Sequence, residues 1–94
     1  MPQRIIDLRA AALRDTQPLP PQAPHQPAPL ALSLDDIEEG RHGLTAADGP
    51  LLVVCERGTR SALAARFLRA DGLDARAWEG SWAELLAALE GGQR

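Results

Sequence analysis

Leu51-Leu52-Val53-Val54 is an unbroken apolar run, entered through Gly49-Pro50 and left through Cys55-Glu56-Arg57-Gly58. Four consecutive apolar residues cannot alternate between core and solvent, so the run reads as a short strand covered on both faces. Ser61 to Ala70 follows at once and is apolar nearly all round apart from Arg66 and Arg69, which predicts a well-buried helix ended by Gly72. A doubly covered strand leading straight into a helix belongs to a parallel sheet with helices on both faces, and the chain is expected to be α/β.

The remaining segments fit that expectation. Arg4 to Leu8 reads as a first strand, Leu30 to Leu32 as a weaker second, and Ala75 to Trp78 as a fourth. Ser33-Leu34-Asp35-Asp36 resembles a capping box and starts a short helix to about Glu39, stopped by Gly40. Ser81-Trp82-Ala83-Glu84 is a second capping box, after which Trp82, Leu85, Leu86 and Leu89 form one apolar stripe before Gly91-Gly92. No helix pattern is read between Arg9 and His25. Residues 18–29 hold six prolines in twelve positions, too many for a helix or a central strand, and read as a stiff extended connector within a single domain spanning 1–94.

Several function classes drop out on composition. The net charge of −3 and the lack of a basic stripe interleaved with aromatics argue against a nucleic-acid partner. No apolar run is long enough to span a membrane, and the first residues lack the pattern of a signal peptide. A single cysteine rules out an internal disulfide and suits a reducing cytoplasm, where the protein is expected to reside. That thiol has no second cysteine to resolve it, so any oxidised or sulfur-loaded state must be cleared by an external molecule.

Cys55 falls between the buried strand and the helix start, at the carboxyl end of a parallel strand, where α/β sheets bind their ligands. Backbone N–H groups at a helix N-terminus point outward unpaired, and the helix dipole adds positive potential there. A thiol held in that field ionises more easily than a free one, and the thiolate is the nucleophile. Arg57 and Arg60 add two fixed positive charges against one negative charge from Glu56. Gly58 can take a backbone conformation closed to other residues, so the loop can curl until successive N–H groups converge on an anion or on a charged atom carried by the sulfur. Arg60 can turn its donors across the mouth. The bland alternative is a small hydrophobe at a strand end. Glycine, paired arginines and helix start together favour the reactive reading.

Cys55-Glu56-Arg57-Gly58-Thr59-Arg60-Ser61 resembles the active-site loop of single-domain rhodaneses, the sulfurtransferases. Ile5-Ile6-Asp7-Leu8-Arg9 is similar to that family's opening strand, which ends in Asp-x-Arg. The residues from Pro24 to Ile37 have the spacing of its Gly-His-Ile-Pro-Gly-Ala segment and the stretch after it, with His25 and Pro27 retained. Trp78-Glu79-Gly80-Ser81-Trp82 is similar to its Leu-x-Gly-Gly turn, with Ser81 in place of the second glycine. The resemblance covers nearly the whole chain and is strongest from Leu51 to Leu86.

The resemblance implies a rhodanese-like three-layer α/β fold: a small, mostly parallel sheet flanked by helices on both faces. It implies Cys55 as the catalytic nucleophile, with Glu56, Arg57, Gly58, Thr59, Arg60 and Ser61 as the persulfide cradle. Asp7 and Arg9 would give structural support as an ion pair near the loop, of the ordinary kind that contributes little. Neither metal nor organic cofactor is implied. The expected partners are a small anionic donor (thiosulfate or a persulfide) and a thiophilic acceptor, namely cyanide, a cellular thiol or a protein thiol. His25 is expected to be an exposed or packing residue, His42 to be solvated, and Trp78 and Trp82 to pack in the core.

Two other functions are compatible with such a loop. Cysteine phosphatases and arsenate reductases place five residues between cysteine and arginine, whereas four separate Cys55 from Arg60. The smaller loop suits one sulfur atom better than a tetrahedral oxyanion. A non-catalytic module that binds a partner or senses sulfur would usually have lost the cysteine, which is present here.

Overall fold

β3 (Leu51–Val54) is buried along its whole length, as its unbroken apolar run requires. The computed structural model describes residues 4–17, 19, 29–55 and 59–91. β1 (Arg4–Asp7), β2 (Leu30–Ala31) and β4 (Ala75–Ala77) join β3 in one sheet of order β2-β1-β3-β4, every pairing parallel. Between them lie α1 (Ala11–Thr16), α2 (Leu34–Glu38) and α3 (Thr59–Ala70), with α4 (Trp82–Gly91) last. A 3-10 turn spans Ala46–Asp48. The fold is the expected three-layer α/β arrangement.

Period-two alternation sorts the strand residues between two cores. Ile6, Leu8, Leu51, Val53 and Ala75 pack against Ile37 of α2 and Ala64, Ala65 and Leu68 of α3. Ile5, Leu52 and Val54 turn the other way, against Leu85 of α4 with Trp78, Trp82, Leu89 and Leu19 around them. Burying each such aliphatic side chain contributes about 1.5–3 kcal/mol. The two tryptophans thus pack on the core as expected.

α3 starts two residues earlier than its sequence pattern suggests and ends where Gly72 dictates. Gly72 has φ 87°, its N–H bonds the Arg69 carbonyl at 3.0 Å, and Leu73 N–H bonds the Leu68 carbonyl at 3.1 Å. This is the Schellman arrangement, sealed by buried Leu68 and Leu73. The expectation that α3, apolar nearly all round, is well buried is corrected. Only Ser61, Ala64, Ala65 and Leu68 are buried, and Leu63 remains 40% exposed. One stripe meets the sheet, and among the described residues nothing covers the opposite side.

Two further readings change. α1 occupies a stretch read as having no helix; Ala10 supplies no capping side chain, so the usual start signal is missing. His42, expected to be solvated, has a side chain only 7% exposed. Its Nδ1 accepts the Leu44 N–H at 3.0 Å, leaving Nε2 to donate to Asp71 at 2.9 Å. The proline-rich connector lies outside the described residues, apart from Leu19 and Pro29, and His25 lies outside with it. Among the described residues no helix is long and apolar enough to cross a membrane.

Candidate active site

The strand order fixes where a ligand can enter. From β1 the chain moves outward to β2 and then returns to β3 on the other side of β1, so the carboxyl ends of β1 and β3 flank a topological switch point. Cys55 follows β3 there, and Leu8-Arg9-Ala10 follow β1. Asp7 lies beside Val54 in register, and Leu8 N–H bonds the Val54 carbonyl at 2.9 Å. The thiol therefore leaves the sheet from a strand end tied to its neighbour.

Cys55 is half-buried and packs on the α3-side core. The Ser61 backbone N–H donates to Cys55 Sγ at 3.4 Å. Ser61 is itself buried, while Thr59 and Arg60 are exposed in the first turn of the same helix. N–H groups of this first turn have no carbonyl partner within the helix, which is why one can point at sulfur. Such a donor stabilises negative charge on Sγ. Glu56, Arg57 and Gly58, the middle of the expected cradle, lie outside the described residues. Thr59 and Arg60, read from the sequence as loop residues, open α3 instead, and Ser61 lies in its first turn.

Asp7 and Arg9 form something other than an ordinary strand-end ion pair. Both are only 3% exposed. Arg9 Nε and Nη2 grip the Asp7 carboxylate at 3.1 and 3.0 Å, and the Arg9 backbone N–H donates to Asp7 Oδ1 at 2.9 Å. The remaining Nη1 donates to the Gln17 carbonyl at 2.6 Å, and the guanidinium carbon stands 4.1 Å from the Trp82 ring centroid. One guanidinium thus joins the end of β1 to the chain leaving α1 and to the first residue of α4. A buried pair so fully hydrogen-bonded is costly to break, even where forming it gives little net stability.

A cavity of about 400 Å³ opens at the carboxyl ends of β1 and β2, reaching the first turn of α3 at Arg60. Arg9, Arg14, Ser33, Asp36 and Arg60 line it, with Arg60 common to the cavity and the Cys55 loop. Asp36 Oδ1 is engaged by Arg41 at 3.1 Å, and Arg14 Nη1 is held on the Arg9 carbonyl at 2.6 Å. The balance of charge facing the cavity is positive. Arg14 was not singled out from the sequence, and Ser33 and Asp36 were read only as a helix cap. Their place just after strands, at the end where α/β sheets bind ligands, is the signal that could have found them.

The turn from Trp78 to Trp82 closes the same end of the sheet beyond β4. A Cβ on Gly80 would come within 3.1 Å of the Trp78 indole nitrogen, so a side chain there must displace the ring. That indole N–H donates to the Ser81 carbonyl at 3.1 Å. Ser81 caps α4 as its sequence predicts: its Oγ accepts Glu84 N–H at 3.1 Å, and its own N–H donates to Glu84 Oε1 at 2.9 Å. The Ser81 backbone N–H, and after it the Ser81 hydroxyl, hold the Glu84 carboxyl below its ordinary pKa.

Comparison with known proteins bears on this geometry. No family model and no curated protein matches the chain. Among solved structures, a crystal structure of a rhodanese homolog from the extremely thermophilic bacterium Thermus thermophilus superposes with a TM-score of 0.61. The two sequences are 34% identical over 85% of this chain and 79% of the other. A four-stranded parallel sheet, a cysteine at its switch point and a relative of that identity lead to one assignment: the chain belongs to the rhodanese family.

Proposed function

We propose that this protein is a sulfurtransferase that carries sulfur as a Cys55 persulfide. The Cys55 thiolate attacks the outer sulfur of thiosulfate, or the terminal sulfur of a persulfide. The donor's S–S bond breaks, and sulfite or a thiolate leaves with the bonding electron pair. Cys55 then carries a terminal sulfur with a negative charge. A thiophilic acceptor (cyanide, a cellular thiol or a protein thiol) attacks that sulfur, and the Cys55 thiolate departs ready for another cycle. This is two-step covalent catalysis by an activated nucleophile, and it needs neither metal nor organic cofactor.

The observation that carries this reading is the Ser61 N–H aimed at Cys55 Sγ from the first turn of α3. A donor fixed on backbone is already oriented before charge develops, the logic of an oxyanion hole applied to sulfur. Glu56, Arg57, Gly58, Thr59 and Arg60 complete the proposed cradle around it. Arg14 and Arg60 give the cavity the sign needed to draw in an anionic donor. A reducing cytoplasm would supply the acceptor thiols.

Intact-protein mass spectrometry after incubation with thiosulfate tests the proposal. The expected result is one added sulfur on the parent chain, removed by a reducing thiol and absent in Cys55→Ser. Cys55→Ser should keep the parent's circular dichroism, since one half-buried atom changes. No adduct from thiosulfate or from glutathione persulfide would sink the assignment and favour a module that binds without transferring.

A further inference from the structure

A second arginine-lined cavity runs along the outer margin of the molecule, between α3 and the edge strand β4, with a volume of about 640 Å³. Ala62, Ala65 and Ala77 contribute to its lining, and their methyl side chains leave the space unfilled. Arg66, Arg69 and Arg76 also line it, all exposed. Among the described residues neither Arg66 nor Arg76 takes part in an ion pair, whereas Arg4, Arg9 and Arg41 each do. Glu79, at the Gly80 end, is the single carboxylate among the described lining residues. Three cations against one anion is a local reversal on a chain whose net charge is −3.

Backbone geometry gives the cavity a second feature. Leu51 N–H bonds the Asp74 carbonyl at 2.8 Å, and Trp78 N–H bonds the Val53 carbonyl at 2.9 Å. In a parallel ladder this spacing commits Arg76 to β3 and turns the N–H and C=O of Ala75 and Ala77 to the outer edge. Arg69 Nη1 covers the Ala75 carbonyl at 2.9 Å, which fits that direction. The Ala77 N–H and C=O remain turned toward the cavity that Ala77 lines. An edge with exposed main-chain groups is a template for another extended strand.

We propose that this cavity docks an extended acidic segment of a protein partner, paired with the edge of β4 at Ala77 and gripped by Arg66, Arg69 and Arg76. Main-chain bonds along β4 give the segment its alignment, and the arginines select carboxylate side chains over neutral or basic ones. Small alanines let the segment approach the strand closely. The far end of the groove opens at the Trp78–Gly80 turn, on the same carboxyl edge of the sheet as Cys55, so a bound partner is directed toward the thiol end. Docking itself does not require Cys55 to react, and a protein without sulfur transfer would still bind. A single-stranded nucleic acid shares the charge but lacks the main-chain repeat that pairs in register with the outward N–H and C=O of Ala77.

Fluorescence anisotropy with the full chain and a labelled peptide of alternating glutamate and threonine tests this directly. Binding should weaken as salt rises and be absent for the matching glutamine–threonine peptide. Arg66→Glu combined with Arg76→Glu should weaken it by about tenfold or more, since reversed rim charges repel the same carboxylates. Ala77→Pro removes an N–H that the ladder does not use, so the fold should survive while affinity falls. Amide resonances of Ala75–Ala77 should shift on titration. Equal affinity for parent and charge-reversed proteins would overturn the proposal, as would tighter binding of a single-stranded RNA, or no binding at low ionic strength.

Discussion

On the α3 side of the sheet the fully buried residues are all aliphatic, running from Ile6, Val53 and Leu51 to Ile37, Ala64 and Leu68, with Phe67 and Cys55 packed at the margin. On the α4 side the buried apolar residues among those described are Ile5, Leu52, Val54 and Leu85, and the rest of the space goes to Leu19, Trp78, Trp82, Leu89 and the Asp7–Arg9 pair. Aliphatic packing degrades gradually, because each lost methylene removes under about 1 kcal/mol. A buried ion pair fails abruptly, because losing one partner strands the other charge in a dry interior. Cys55 packs on the forgiving side, while the end of β1 that shapes the cavity reached by Arg60 is held by the brittle one. The site thus combines a thiol backed by ordinary packing with a cavity wall that depends on the few partners of one guanidinium.

The contrast is broken most severely at Asp7. Asp7→Asn keeps the shape and the acceptor for the Arg9 backbone N–H but removes the buried countercharge. A loss of about 3–5 kcal/mol is expected in denaturant unfolding. For a domain whose whole stability is on the order of 5–15 kcal/mol, that is a large share. The double variant Asp7→Asn/Arg9→Met should lie closer to the parent than Asp7→Asn alone, since no charge is then stranded. Equal or greater loss in the double variant would mean that Arg9 acts through Gln17 and Trp82 and not through the carboxylate.

Trp82 sharpens the same contrast at smaller scale. Its ring, half-buried, faces the buried Arg9 guanidinium at 4.1 Å, a setting in which a cation–π contact is worth about 1–2 kcal/mol. Trp82→Leu should lose roughly that contact plus some packing area, whereas Trp82→Phe should retain part of both. Thermal unfolding of the two variants separates the contributions. Identical melting temperatures for Phe and Leu at this position would reduce Trp82 to a space-filler.

How much of this was legible beforehand follows from the range of each interaction. β3, the Gly72 stop of α3 and the Ser81 cap depend on residues within a few positions of one another, and the sequence pattern places them correctly. Thr45-x-x-Asp48 carries the same local signal, and the two side chains do form a capping box at the 3-10 turn. Reading that pattern alongside Ser33 and Ser81 would have found it. α1 was out of reach because Ala10 offers no cap; guanidinium bonds from Arg14 to the Arg9 carbonyl and from Arg9 to the Gln17 carbonyl brace its two ends instead, and no capping pattern encodes those. The burial of His42 depends on Asp71, 29 residues along the chain, and no local pattern encodes that distance. Around the thiol, Cys55 and Ser61 were legible because strand end and helix start adjoin in sequence. The cavity reached by Arg60 joins residues from three separate strand-to-helix segments and became visible only once the strands were ordered.

The weakest link on the α4 side is its solvent-exposed start, where Glu84 closes the capping box. Its carboxyl is held below its ordinary pKa by the Ser81 N–H and hydroxyl. A carboxyl with a lowered folded-state pKa stabilises the fold above its unfolded value, and that contribution fades as pH falls through the folded value. The parent should therefore be slightly more stable than Glu84→Gln at neutral pH, because glutamine keeps an acceptor for Ser81 but not the charge. The difference should shrink toward zero on acidification, since protonated glutamate and glutamine are then alike in charge. Paired thermal melts of the two proteins from neutral to acid pH read this directly, and a gap that stays constant would assign the cap's effect to shape alone. Because Glu84 is exposed, salt should diminish the neutral-pH gap, while the buried Asp7–Arg9 pair should respond far less. That difference in salt response separates the surface electrostatics of α4 from the buried electrostatics beneath it.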